Sequence, residues 1–191
     1  MASEFVLGFC ALAAIGPASI PALVSFRRFT NFLLMPIVPG LRSCYTKVGR
    51  IFYFGRMLDK IRLHAAGKLP EADYAANLGK GFDGRTCSFL RVNYDELKAK
   101  VLTGGLSDEQ LLAWADQHGG SRSDEDCEIW NNFMMKRCWR DEGAALLARR
   151  IQESGLEGKP ILAMFDYIDF DEGRDPVATR AWEALVAQKP K

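Results

Sequence analysis

The chain has 191 residues, 48% hydrophobic and 26% charged, values ordinary for a globular protein with one well-buried domain. Its 25 Lys and Arg against 24 Asp and Glu give a formal net charge of +1, so the overall balance recruits neither nucleic acid nor an anionic membrane surface. Residues 1–40 hold only Glu4, Arg27 and Arg28 as charges; without them 25 less two leaves 23 basic and 24 less one leaves 23 acidic residues, and no nucleic-acid partner is expected.

Residues 5–26 carry no charge, a length that matches a membrane span. Pro17 and Pro21 interrupt this run and Gly8 and Gly16 dilute it. No basic residue precedes it, as one would in a secretory signal. Were it to insert, Arg27 and Arg28 would hold its C-terminal side in the cytoplasm. Residues 1–39 are therefore read as an apolar extension with three competing roles: a disordered leader, a membrane anchor through residues 5–26, or a segment covering the domain. A membrane partner enters only by that route. Residues 40–191 are expected to form a single all-α domain.

In chain order, Ser43 to Gly49 is a polar lead-in, and Ile51, Phe52, Tyr53 and Phe54 together imply burial on several sides. Phe54 to Gly67 has the spacing of an amphipathic helix. Met57, Leu58, Ile61 and Ala65 share one face, Arg56, Lys60 and His64 another, with Asp59 within reach of Arg56. Gly67 suits a left-handed helix stop. Glu71 to Leu78 is ambiguous, with Tyr74 its only large side chain. The run from Gly79 to Arg85 places three glycines in seven residues, a density that requires positive-φ turns or close backbone approach. It lacks the GxxxxGK[ST] phosphate-loop pattern and is read as a structural turn.

Start and stop signals then become clear. A short helix runs through Cys87, Phe89 and Leu90. Asn93 caps a helix holding Tyr94, Leu97 and Val101, ended by Gly104-Gly105. Ser107, with Gln110 three later, caps another whose buried stripe is Leu111, Leu112, Ala115 and His118, ended by Gly119-Gly120. Ser123 opens a third, with Cys127, Trp130, Phe133, Met134 and Cys138 apolar. Its acidic first turn suits the helix dipole and would repel DNA phosphate from a helix-turn-helix docking. Asp141 to Ser154 reads as a helix with Ala145, Leu146, Ala148 and Ile151 apolar. Ile161 to Phe165 is a helical turn or a strand. Asp175 and Pro176 open a last helix through Trp182, Leu185 and Val186.

Two stretches carry chemistry. Arg56, Asp59, Lys60, His64, Tyr74, Asp83 and Arg85 could hold a carboxylate or phosphate, with His64 or Asp59 moving a proton. The competing reading is a salt-bridged seam between helices. Asp166, Asp169, Asp171 and Glu172 offer oxygen ligands for a divalent ion, but the D-x-[DN]-x-[DN]-G calcium pattern is absent, and capping with ion pairs to Arg174 is preferred. If Arg56 or Arg85 faced these acids, a buried pair would join the two ends of the chain. The five cysteines form no Cys-x-x-Cys pair and are read as small buried hydrophobes of a reducing cytosol. No cofactor fingerprint is present, so no cofactor is expected.

The segments Lys47-Val48-Gly49, Gly55 to Arg62, Ala66-Gly67, Gly79 to Asp83, Trp130 to Phe133, Phe165 to Asp169 and Asp171 to Arg174 occur in one order. Together they resemble the bacterial family called domain of unknown function 5069, over roughly residues 40–174. The family's first motif commonly has proline where this chain has Gly55, which loosens the start of that helix. The resemblance implies a small, mostly helical bacterial domain and brings no activity or ligand. The functional expectation is a non-catalytic binding or regulatory module with a protein partner. The alternative is a domain or enzyme that takes a small anionic ligand around Arg56, Asp59 and Lys60.

Overall fold

A computed structural model describes residues 37–180 and Trp182. The apolar run at 5–26, with its leader and anchor readings, and the helix continuation through Leu185 and Val186 lie outside the described residues. Among the described residues the domain is mainly α, as expected, and no helix is long and apolar enough to cross a membrane.

The lead-in is where the structure departs most from expectation. Ser43, Cys44, Tyr45 and Val48 are buried, and β1 (Lys47–Val48) pairs antiparallel with β2 (Ile51–Phe52), Val48 opposite Ile51. A two-residue loop joins them, with Gly49 at φ +53° supplying the left-handed turn such hairpins need. Two residues per strand are too few for an alternation to register in sequence. Asn131 fixes this hairpin to the helical body: its Oδ1 accepts from Phe52 N at 2.9 Å and its Nδ2 donates to Arg50 O at 2.8 Å.

Helix α1 (Phe54–Ala65) follows without a linker, and every residue from Phe54 to Ile61 is buried. Its Arg56, Asp59 and Lys60 are therefore enclosed along with the apolar face, whereas Ala65, assigned to that face, is exposed. Gly67, at φ +66°, ends the helix as its position requires. The absent Cβ of Gly55 is where Arg42 passes, 2.8 Å from its guanidinium carbon. The ambiguous stretch becomes α2 (Glu71–Tyr74) and a 3-10 turn at Ala75–Asn77.

Helix α3 (Phe82–Leu90) begins inside the glycine-rich run, so only 79–81 form the expected turn, with Gly79 at φ +71° and Gly81 at +54°. The capped helices fall where their signals put them. In α4 (Tyr94–Leu102), Asn93 accepts from Asp95 N and Glu96 N, and α5 (Asp108–Gly119) and α6 (Asp124–Lys136) open on capping boxes at Ser107 and Ser123. His118 and Phe133, placed on buried faces, are exposed; the His118 ring packs on Trp114 with centroids 4.3 Å apart. In α7 (Ala144–Glu153) the buried residue is Leu147, while Ala145, Leu146 and Ala148 face out. The apolar run at 161–165 enters α8 (Met164–Asp171), and α9 (Pro176–Thr179) is capped by Asp175 with Pro176 at its first position.

Three apolar clusters result. The largest centres on Phe54, Met57, Leu97, Leu111, Met134 and Phe165. A second gathers Cys138, Leu147, Leu156, Met164 and Tyr167 beneath α7 and α8. A third joins Val38, Leu41, Leu69 and Tyr74, so packing begins two residues before Gly40.

Candidate functional site

The site lies where the three clusters meet, and its floor is one face of α1. Arg56, 3% exposed, donates from Nη1 to Glu172 Oε2 at 3.0 Å and to Arg42 O at 2.7 Å, and from Nη2 to Glu172 Oε1. Tyr74 donates to Glu172 Oε1 at 2.6 Å, and Arg174 closes on Oε2. Burial pushes the Glu172 carboxyl upward, but the charge of Arg56 and the hydrogen bonds of Arg56, Tyr74 and Arg174 outweigh it and hold the group below the ordinary glutamate range. This is the buried pair between the chain's two ends that the charge pattern suggested.

One turn along α1, Lys60 is 5% exposed. Its Nζ donates to Asp83 Oδ1 at 2.5 Å and to the Tyr53 hydroxyl at 3.0 Å, and Tyr53 in turn donates to Asp83 Oδ1 at 3.0 Å. Gly79 N donates to the other carboxylate oxygen at 3.1 Å, so the glycine turn orients Asp83. Burial lowers the Lys60 pKa despite the neighbouring carboxylate, and Arg56 adds to the lowering. Burial likewise raises Tyr53 well above the usual phenol value. Tyr53 has φ +70°, a left-handed backbone that costs a bulky residue about 1–3 kcal/mol. It turns the chain from β2 into α1 within one residue and delivers its hydroxyl to Lys60.

Above this floor opens a cleft of about 340 Å³. Its walls are half apolar, from Phe82, Leu146, Met164, Tyr167 and Ile168, and half polar, from Arg56, Lys60, Tyr74, Asn77 and Glu172. Lys80, Arg85, Arg137 and Arg150 add cations, Asp73 and Asp171 carboxylates. Arg137 is paired with Asp141 and Glu142, whereas Lys80, Arg85 and Arg150 have no carboxylate at ion-pair distance among the described residues. Arg85 instead lies over the Phe133 ring, 5.6 Å from its centroid.

Of the residues singled out in the sequence, Arg56, Lys60, Tyr74, Arg85, Asp171 and Glu172 line the cleft, and Asp83 stands directly behind Lys60. Asp59 does not: it accepts from Arg42 at Nε and Nη2, both 2.7 Å, and from Arg42 N, so its partner is Arg42 rather than Arg56. His64 is half-buried and away from the cleft. The acidic stretch does not converge. Asp166 accepts from Tyr45, Leu162 N, Ala163 N and Arg180; Asp169 from Ser43 and Thr179; Glu172 from Arg56. Among the described residues no three carboxylate, histidine or cysteine groups stand together to hold a metal ion. Tyr53, Lys80 and Arg150 were missed. Tyr53 looks like core in sequence, and the two cations gain their meaning only from the fold. Cys44, Cys87, Cys127 and Cys138 are buried free thiols, Cys44 and Cys87 pushed up to about 12 by burial.

A protein-family model described as a domain of unknown function, number 5069, matches residues 38–174. No curated protein matches the chain.

Proposed function

The chain belongs to the family described as domain of unknown function 5069, and we propose that this member is a small-molecule-binding domain whose cleft takes an organic anion with an apolar body. The observation that carries this reading is the rim: Lys80, Arg85 and Arg150 lack a carboxylate partner among the described residues, above a floor whose own charges are already matched. A carboxylate or phosphate meets these cations, and the Phe82, Met164, Tyr167 and Ile168 wall receives the remainder. A cytoplasmic setting fits the reading, supported by the four buried free thiols among the described residues.

A thermal-shift series on the full chain tests it, pairing benzoate and phenyl phosphate with the neutral benzamide and benzyl alcohol. At a hundredfold excess over Kd a binder adds about 2.7 kcal/mol, which raises Tm by about 5–10 °C in a chain of this size. Stabilisation by the anions alone supports the reading. Equal effects from the neutral analogues, or none from any anion, contradict it.

A further inference from the structure

Lys60 is more than a member of a matched ion pair. Its Nζ has three protons and two partners, Asp83 and Tyr53, while the side chain lines the cleft. A buried ion pair is a poor stabiliser compared with apolar packing of the same volume, and here it comes with a strained tyrosine whose hydroxyl stands 3.0 Å from both charged groups. Desolvation beside a second cation, Arg56, is the arrangement that activates a lysine amine as a nucleophile. We propose that Lys60 forms a covalent imine with a carbonyl group carried by the anion bound in this cleft, so that the substrate class is an oxo acid. The proposal rests on the anion-binding reading of the same cleft.

The step balances without any further reagent. Lys60 passes one proton to Asp83 Oδ1 across 2.5 Å, directly or through the Tyr53 hydroxyl. The freed nitrogen lone pair attacks the carbonyl carbon, and the C=O π pair moves to oxygen. That oxygen collects the two protons remaining on nitrogen and departs as water as C=N forms. The proton held by Asp83 returns to nitrogen, leaving an iminium opposite the carboxylate. Asp83 and Tyr53 act through Lys60 and are positioning residues.

The test treats the full chain with pyruvate, glyoxylate or phenylpyruvate in the presence of cyanoborohydride and maps the reduced adduct by peptide mass spectrometry. Acetaldehyde serves as the uncharged comparator. The expected result is a dominant adduct on Lys60, forming about tenfold faster than on any other lysine and absent in Lys60→Arg. In Asp83→Asn the amine loses the carboxylate that keeps it protonated, so the pH profile of labelling shifts to lower pH, a change that a purely structural role for Asp83 would not produce. The wild-type map stands by itself should that variant fail to fold. A melting-temperature rise with an oxo acid but no label on Lys60 overturns the imine and leaves anion binding intact. Neither stabilisation nor label overturns both. Equal labelling of Lys60 by acetaldehyde supports the nucleophile and overturns the oxo-acid assignment.

Discussion

The Arg56–Glu172 pair is one of several contacts that join the two ends of the domain, and its energetics are those of an enclosed charge. Removing one partner leaves the other buried and unmatched, so Arg56→Ala is expected to lower stability by about 3–5 kcal/mol in urea unfolding. Asp59→Ala should cost far less, about 1 kcal/mol, because Arg42 is 30% exposed and keeps Asp108 at 2.6 Å. Two carboxyls give opposite pH trends. Glu172, held low in the fold, contributes stability that is present above the unfolded glutamate value near ~4.3 and is lost as pH falls through its depressed value. Asp169, fully buried, with no hydrogen bond to Oδ1 among the described residues and Arg174 3.9 Å away, is pushed up by burial; its contribution is present below the unfolded aspartate value near ~3.9 and is lost as pH rises through the raised one. Glu172→Gln should therefore flatten the acid limb of a stability–pH curve, and Asp169→Asn should steepen it. Arg56 and Glu172 were legible as charges, one on the polar face of an amphipathic helix and one in an acidic run. Arg42 was not, because nothing in a linear sequence marks which of many arginines returns to Asp59.

At the scale of elements, legibility followed local chemistry. Asn93, Ser107 and Ser123 were readable because a cap satisfies donors only two or three residues away. Ser107→Ala and Ser123→Ala are each expected to cost about 1 kcal/mol by equilibrium unfolding. The β1–β2 hairpin was not readable, and neither was the inward face of α7, since both are decided by what packs against them. Gly119 shows the same limit. A Cβ there would stand 1.7 Å from Leu90 O, so α5 ends against the last turn of α3 only because that atom is missing. Gly119→Ala should be among the most destabilising single changes in the chain, seen as a large fall in Tm with Ser107→Ala as the mild comparison.

For the described domain as a whole, the cleft is a consequence of three apolar clusters that meet without merging. Tyr53 belongs to the first, Met164 and Tyr167 to the second, Tyr74 to the third, and all four line the opening between them. Polar groups survive at such a junction because they partner one another, as Arg56 does with Glu172 and Lys60 with Asp83. The helical class was legible from periodicity and caps. The cleft was only half legible: Arg56, Lys60 and Arg85 stood out as charges, while Lys80 and Arg150 come from separate elements that only the fold brings together. The most direct test is titration calorimetry of phenyl phosphate into the full chain and into Lys80→Ala/Arg85→Ala, both exposed positions whose loss should lower Tm by no more than a few degrees, through the lost contact of Arg85 with Phe133. Binding to the wild type that weakens at least tenfold, about 1.4 kcal/mol, in the double variant is the predicted result. Equal affinity in both proteins, or no heat of binding in either, would contradict the assignment of the cleft as an anion site.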